Sequence, residues 1–296
     1  MTLLAAIEAY VRLKQSLGAV FSADRRILRA FGRRLGDVSV DSISEEACLA
    51  FCLGPAPATR FAERKHETLH GFFAYLCARG FMIVSPLHEP GPRVDRTFQP
   101  YIYPRKQIRR LLDATTILGA RRGPIEAQTF RSLLLLLYGA GLRAGEALRL
   151  RCSDVDLYDR VITIWDTKFF KSRHVPLGTE LCAALKDYHT QRASLPRPFG
   201  QHSAFFASHT GHTISLGRLE RVFRRLRALA GIQRPATDRW QPRLHDLRHT
   251  FAVDRLIAWY REGADVQACL PLLATYLGHI NVSGLEGRQL RSPLFA

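Results

Sequence analysis

Prolines recur between residues 86 and 104, and the hydrophobic periodicity that marks the rest of the chain stops there. Proline lacks a backbone donor and has a fixed φ, so neither a helix nor a central strand continues through such a segment. The chain has 296 residues, of which 47% are hydrophobic, enough for two domains with packed cores. We therefore predict one domain over residues 1–86, a linker over 87–104 and a second domain over 105–296.

Residues 1–86 carry apolar side chains at helical spacing, as in the stripes that contain Ile7 and Val11 or Phe72 and Phe73. The pattern predicts a compact, all-helical domain. Basic residues fall on its outward faces without interleaved acids. This favours a surface that follows phosphate groups over a merely solvated face. These residues are Arg25, Arg26, Arg33, Arg34, Arg60, Arg64 and Lys65.

Residues 105–296 combine helical periodicity with a short β pattern. Residues 160–165 and 172–177 flank a turn and predict a β-hairpin. The leucine run Leu133–Leu137 is too short to cross a membrane, so it predicts a buried core helix. The predicted fold class is mainly α with a small β-hairpin or sheet. The predicted helices of this region cover residues 105–114, 127–139, 178–191, 215–230, 245–262 and 265–277.

The chain is strongly basic, with a formal net charge of +17 that comes mostly from arginine. Such an imbalance favours a polyanionic partner, and the planar guanidinium group suits phosphate better than an ammonium group does. We predict a nucleic acid as the partner, against the alternative of a basic protein with no nucleic-acid role. No apolar run approaches the roughly 20 residues that a membrane span requires, so we predict no membrane partner.

Six cysteines are scattered through apolar contexts, which is typical of reduced thiols in the cytoplasm. Cys48 and Cys52 lie one helical turn apart and could hold a metal ion together with His66 or His70. No second closely spaced pair completes such a site, so core packing is the favoured interpretation. The N-terminus carries no basic leader, and we therefore predict a cytoplasmic protein.

Three short clusters place a cation or an imidazole beside a tight turn or a helix start, where several such groups can converge on one phosphate. Two arginines and two histidines around a phosphodiester would stabilise the pentacoordinate phosphorane of a DNA strand transfer. A site this cationic would repel a divalent ion, so we predict neither a metal nor another cofactor. The clusters are Gly-Leu-Arg143-Ala-Gly-Glu146, His245-Asp-Leu-Arg248-His249 and Leu277-Gly-His279.

Each cluster also has a simpler interpretation. Arg143 and Glu146 could form an ordinary helix salt bridge, and His279 could satisfy a helix terminus. Asp246 is better explained as a helix cap or a buried hydrogen-bond partner than as a catalyst. The order of the clusters along the chain is what favours a shared site.

This ordered set, with Lys168 in the hairpin turn and Val175-Pro-Leu after it, resembles the tyrosine recombinases, also called the phage integrase family. Residues 100–280 look like the α+β catalytic domain of that family, and residues 1–86 look like its helical core-binding domain. The resemblance implies a site-specific DNA recombinase that clamps duplex DNA and assembles as a homo-oligomer on paired sites. It implies no metal, no cofactor and no small-molecule substrate.

The resemblance also implies roles for individual side chains. The two arginines of the clusters would hold the non-bridging oxygens of the scissile phosphate. The hairpin lysine would donate a proton to the leaving 5′-oxygen, and Lys171 in the same turn is the alternative donor. The two histidines would shuttle protons or donate hydrogen bonds to phosphate oxygens. The catalytic residues implied in this way are Arg143, Lys168, His245, Arg248 and His279.

One feature of the family is missing from the sequence. Family members carry a nucleophilic tyrosine about nine residues beyond the last histidine, where this chain has Arg288, and the last tyrosine of the chain is Tyr276. There are three explanations: a degenerate recombinase, a C-terminus altered by gene disruption, and an unusual nucleophile, which would be Ser283, Ser292 or a tyrosine such as Tyr260 or Tyr276. We expect impaired cleavage, and the alternative function is a non-catalytic DNA-binding regulator or remnant that occupies recombination sites.

Overall fold

The computed structural model divides into two units, Met1–Phe98 and Gln99–Ala296, each with its own hydrophobic core. Leu87 is buried in the core of the first unit and Tyr103 in that of the second. Both ends of the predicted linker are therefore packed parts of a unit. The described residues are 1–19, 21–53, 59–87, 91, 99–119, 125–165, 172–195, 199–235, 238 and 240–278.

Helices are the main elements among the described residues of the first unit, in agreement with the sequence pattern, and a single β-bridge joins Thr2 to Ser39. Phe72, Phe73 and Leu76 are fully buried on one side of its longest helix, because their spacing places them on a single face. Thr59 caps the start of that helix by accepting a hydrogen bond from the backbone N–H of Ala62 at 3.1 Å. The helices are α1 (Leu3–Ser16), α2 (Ser22–Leu35), the 3-10 helix Val40–Ser42, α3 (Glu45–Leu53) and α4 (Arg60–Ala78).

Cys48 and Cys52 lie in the core of the first unit, as their apolar context predicts. Burial raises the pKa of the Cys48 thiol to about 12 and that of the Cys52 thiol to about 11. Both side chains therefore stay protonated near neutral pH. The described part of the chain contains no group of three or more His, Cys, Asp or Glu side chains that could hold a metal ion.

The second unit surrounds α6 (Ala127–Gly139), which packs against α5 (Arg105–Gly119), α8 (Thr179–Ala193) and α10 (Asp246–Arg261). Its leucine run supplies the fully buried Leu133 and Leu136, because a helix that contacts others on several sides is apolar around most of its surface. Among the described residues, no helix is long and apolar enough to span a membrane. The helices are α5 (Arg105–Gly119), α6 (Ala127–Gly139), α7 (Ala144–Ala147), the 3-10 helix Cys152–Asp154, α8 (Thr179–Ala193), α9 (Leu216–Leu229), α10 (Asp246–Arg261) and α11 (Val266–Leu277).

A small antiparallel sheet lies in the same unit, and its strands follow the order β1 (Val155–Asp156), β2 (Val161–Ile164) and β3 (Arg173–Pro176). The predicted hairpin corresponds to β2 (Val161–Ile164) and β3 (Arg173–Pro176), in which Ile162 faces Val175 and Ile164 faces Arg173. A third strand, β1 (Val155–Asp156), extends the sheet beyond the prediction. The prediction of a mainly helical chain with a small sheet is confirmed.

Candidate functional site

The first predicted arginine lies at the start of α7. Arg143 is the N-cap residue of this short helix, and its backbone N–H and its Nη1 donate to the two carboxylate oxygens of Glu146 at 3.1 and 2.7 Å. The turn before it needs a glycine, because Gly141 has φ +61° and an added Cβ would collide with the ring of Phe251. Gly141 therefore allows the tight turn that leads into Arg143 at the start of α7.

The second predicted arginine lies in the first turn of α10 and is buried. Arg248 donates from Nη1 to the carbonyl oxygen of Gly141 at 2.7 Å and from Nη2 to that of Leu277. Arg143 donates from Nη2 to the carbonyl oxygen of Gly278 at 2.8 Å. These three hydrogen bonds bring together the turn before Arg143, the start of α10 and the end of α11, although the three segments are far apart in sequence.

A third arginine, which the sequence analysis does not single out, completes this arrangement. Arg173 at the start of β3 donates from Nη1 and Nη2 to the two oxygens of Glu146 at 3.2 and 2.8 Å. Its Nε donates to the carbonyl oxygen of Tyr276 at 2.9 Å. Its position after the hairpin turn is the only signal in the sequence, because its partners are set by the fold.

The end of α11 is therefore held by three guanidinium groups. The carbonyl oxygens of Tyr276, Leu277 and Gly278 accept from Arg173, Arg248 and Arg143 respectively. The last carbonyls of a helix have no partner within the helix and carry partial negative charge, so cations are favourable there. Gly278 ends the helix in the left-handed conformation at φ +67°, directly before His279 in the sequence.

Electrostatically, the site holds an excess of positive charge. Burial would raise the pKa of Glu146, but the hydrogen bonds and charges of Arg173 and then Arg143 outweigh it and lower the pKa to about 2. Burial, and then the positive charge of Arg143, lower the pKa of Arg248 to about 9. Two guanidinium groups thus bind the carboxylate of Glu146, and the third, that of Arg248, binds backbone carbonyl oxygens nearby. An added anion would relieve the repulsion among the three.

His245 lies next to this cluster as the N-cap residue of α10. Burial, and then the positive charges of Arg248 and Arg243, lower its pKa to about 4, so the imidazole is neutral near pH 7. A neutral imidazole can donate one hydrogen bond and accept another. The ring of His249 stands perpendicular to that of His245, with 5.0 Å between centroids.

The interpretation of Asp246 as a buried hydrogen-bond partner agrees with the described structure. Asp246 is buried and accepts hydrogen bonds from the backbone N–H of Arg243 at 2.8 Å and from its Nη2 at 3.0 Å. Tyr276 packs against Phe251, with ring centroids 5.6 Å apart, and burial raises its pKa to about 12.

Of the predicted site residues, the structure brings Arg143 and Arg248 together and places His245 beside them. Lys168, its alternative Lys171, His279 and Arg288 lie outside the described residues.

Basic surfaces lie on both units. In the first unit, Arg64 of the predicted phosphate-following surface forms two hydrogen bonds to Asp24, at 2.9 and 2.8 Å, so part of its charge is neutralised. In the second unit, α9 carries a row of exposed arginines opposite its buried apolar face, which the sequence analysis does not single out. That row comprises Arg218, Arg221, Arg224 and Arg225.

The chain is similar over most of its length to proteins described as integrases or recombinases. A family model described as the phage integrase family matches residues 103–286. The integrase/recombinase y4rE of Sinorhizobium fredii is 36% identical over 279 residues, which cover 94% of this chain and 88% of the relative. Tyrosine recombinase XerD of Listeria innocua is 27% identical over 239 residues, which cover 79% of this chain and 73% of the relative.

Solved structures of DNA complexes share the fold. A lambda integrase dimer bound to a COC′ core site superposes with a TM-score of 0.65 at 17% identity, covering 96% of this chain and 97% of its own. The Tn1549 transposon integrase in complex with a circular intermediate DNA gives a TM-score of 0.70 at 18% identity, covering 97% and 94%. At these identities the similarity concerns the fold.

Proposed function

Because the chain belongs to the phage integrase family, we propose that it is a site-specific DNA recombinase that binds duplex DNA and clamps the scissile phosphate between Arg143 and Arg248. The observation that carries the proposal is the meeting of these two arginines at the end of α11. The clamp would stabilise the extra negative charge of the phosphorane during strand cleavage and rejoining.

The hydrogen bonds of the two arginines leave donors for a phosphate. A guanidinium group has five N–H donors, and within the described residues Arg143 uses its two Nη atoms on Glu146 and Gly278. Arg248 likewise uses its two Nη atoms on backbone carbonyls. Among the described residues, the remaining N–H groups of both side chains have no hydrogen-bond partner, and we propose that they bind the non-bridging oxygens in an orientation set before DNA binds.

Proton transfer falls to the other predicted catalytic residues. Lys168 is the proposed acid for the leaving 5′-oxygen, with Lys171 as the alternative, and His279 is the proposed donor of a hydrogen bond to a phosphate oxygen. The neutral state of His245 suits a group that exchanges protons with the reacting oxygens. No step in this scheme calls for a metal ion or an organic cofactor.

We propose further that cleavage is impaired in this chain. No tyrosine occurs between His279 and Ala296, and Arg288 occupies the position expected for the nucleophile. Tyr276 is a poor substitute, because its ring packs against Phe251 and burial raises the pKa of its hydroxyl. The same feature favours the second candidate function, a non-catalytic regulator that occupies recombination sites as a homo-oligomer.

A nicked suicide duplex tests these proposals. Duplexes that the protein retains are first selected from a random pool and then nicked at successive positions. The wild-type chain is expected to bind them in a salt-dependent way without forming a denaturant-resistant adduct. Arg288→Tyr is expected to form the adduct, and Arg288→Phe is the matched control that cannot.

The outcomes separate the candidates. An adduct on wild-type protein would overturn the proposed impairment. DNA binding without any adduct from Arg288→Tyr would favour the regulator, and the absence of salt-dependent duplex binding would exclude both functions. Loss of the Arg288→Tyr adduct on adding Arg143→Ala would support the clamp.

A further inference from the structure

Arg173 has an unusual set of partners for a residue outside the predicted catalytic set. Its side chain is 11% exposed, and its guanidinium group contacts both oxygens of Glu146 and the carbonyl oxygen of Tyr276. It therefore connects β3 to the helix start that carries Arg143 and to the end of α11. A guanidinium is suited to this because its donors point along fixed directions in one plane.

We infer that Arg173 is a positioning residue, which holds Glu146 and the last turn of α11 so that Arg143 and Arg248 face the scissile phosphate. The inference rests on the proposed function and adds a residue to it. Arg173 itself touches no reacting atom in this scheme. It acts through the carboxylate and the carbonyl that it binds.

The first part of this role concerns charge. Glu146 is shared between Arg143, at 2.7 Å from Oε1, and Arg173, at 2.8 Å from Oε2. If Arg173 were neutral, Glu146 would be left with Arg143 as its guanidinium partner, and the pair would carry no net charge. Arg173 thus leaves Arg143 with positive charge to offer to a phosphate.

The second part concerns position. Arg173, Arg248 and Arg143 bind three successive carbonyl oxygens at the end of α11. Loss of the first contact would leave the Tyr276 carbonyl without its charged donor, and the last turn would open more often. Arg248 and Arg143 bind the next two carbonyl oxygens, so movement of that turn would also move their guanidinium groups.

Two substitutions of Arg173 and a matched control test the inference in the Arg288→Tyr background. Arg173→Met removes the charge and the donors, and Arg173→Lys keeps the charge but not the planar set of guanidinium donors. Arg151→Met, the control, removes an exposed arginine of the same unit. At saturating duplex, the adduct rate is expected to fall about 100-fold for Arg173→Met and about 10-fold for Arg173→Lys. Duplex affinity is expected to match that of the control within a few-fold.

The pH profile separates positioning from general damage. Without Arg173 the pKa of Glu146 rises, so Arg173→Met should lose adduct rate at acidic pH values where the parent does not. Arg173→Lys, which keeps the charge, should show a smaller change and serves as the folded variant if Arg173→Met does not fold. Equal rates and pH profiles in all three variants would overturn the inference.

A second measurement does not depend on cleavage. Amide hydrogen exchange at Gly278, whose N–H donates to the carbonyl oxygen of Thr275 at 2.9 Å, reports opening of the last turn of α11. In the unreacted DNA complex, exchange is expected to be faster in Arg173→Met and unchanged in Arg151→Met. If Arg288→Tyr forms no adduct, the cleavage proposal fails by itself, and unchanged exchange in Arg173→Met would overturn the role of Arg173 independently.

Discussion

The two units use arginine in opposite ways. In the first unit, Arg29 pairs with Glu8 at 2.8 Å at the surface, where the two side chains are 44% and 46% exposed. In the second unit, Arg173 pairs with Glu146 at 2.8 Å, where the side chains are 11% and 4% exposed. Because water screens the first pair and not the second, the same chemistry at the same distance has different consequences.

Exposed and buried arginines therefore have different roles in this protein. Exposed arginines, including the row on α9, supply attraction to a polyanion and tolerate replacement one at a time. Buried arginines need fixed partners, and here those partners include backbone carbonyls at a helix end. The net charge of the chain is therefore a guide to its partner, and the buried part of that charge is a guide to its site.

The largest expected effect comes from removing the buried carboxylate. Glu146→Gln leaves Arg173 and Arg143 without their counter-charge, so the free energy of unfolding of the second unit should fall by about 4 kcal/mol. Glu8→Gln in the first unit should cost less than about 1 kcal/mol. Urea denaturation of both variants checks the contrast, and equal losses would refute it.

A second comparison uses two glycines with left-handed backbone. Gly141 has φ +61° and an added Cβ would collide with Phe251, whereas Gly80, which follows α4, has φ +70° and open space around it. Gly141→Ala should destabilise the protein by about 3 kcal/mol, from backbone strain and overpacking together, and Gly80→Ala by about 1 kcal/mol from strain alone. Thermal unfolding measures both, and similar losses would argue against crowding at Gly141.

A third prediction concerns acid sensitivity. The pKa of His245 is lowered from its ordinary 6.5 to about 4, so the unfolded chain binds a proton there at a higher pH than the folded chain does. The second unit should therefore lose stability as the pH falls from 6.5 to about 4. His245→Gln should remove this part of the loss, and His212→Gln, at an exposed position, should not. Denaturant titration at several pH values measures the free energy of unfolding of both variants. If that free energy depends on pH identically in the two, the buried setting of His245 is contradicted.

The smallest effect on stability is expected at the exposed face of α9. Arg224→Gln should change the free energy of unfolding by no more than about 0.5 kcal/mol. If this face contacts phosphates, the variant should weaken duplex binding uniformly across sequences and reduce the slope of log Kd against log salt by about 1. An unchanged slope would place Arg224 outside the DNA contact surface.

Much of the fold could be predicted from local patterns in the sequence. Helix α6 spans Ala127–Gly139, the residues predicted from its apolar run, and α8 to α11 begin and end within two residues of the predicted bounds. The residues that mark a helix, its apolar stripe and its caps, lie within a few turns of one another in the chain. The helix can therefore be predicted without knowledge of tertiary contacts. The strand β1 was missed, because a two-residue strand has no period and exists only through its pairing with β2.

The site divides along the same line. The amino-acid sequence alone determined the helical class, the basic character and the ordered clusters that contain Arg143, His245 and Arg248, because each depends on neighbours in the chain. Only the tertiary structure decided that Glu146 serves two arginines and that the end of α11 accepts hydrogen bonds from three of them. Arg173 and Tyr276 are separated by 103 residues, and no local pattern encodes a contact that forms when a strand and a helix end are packed side by side.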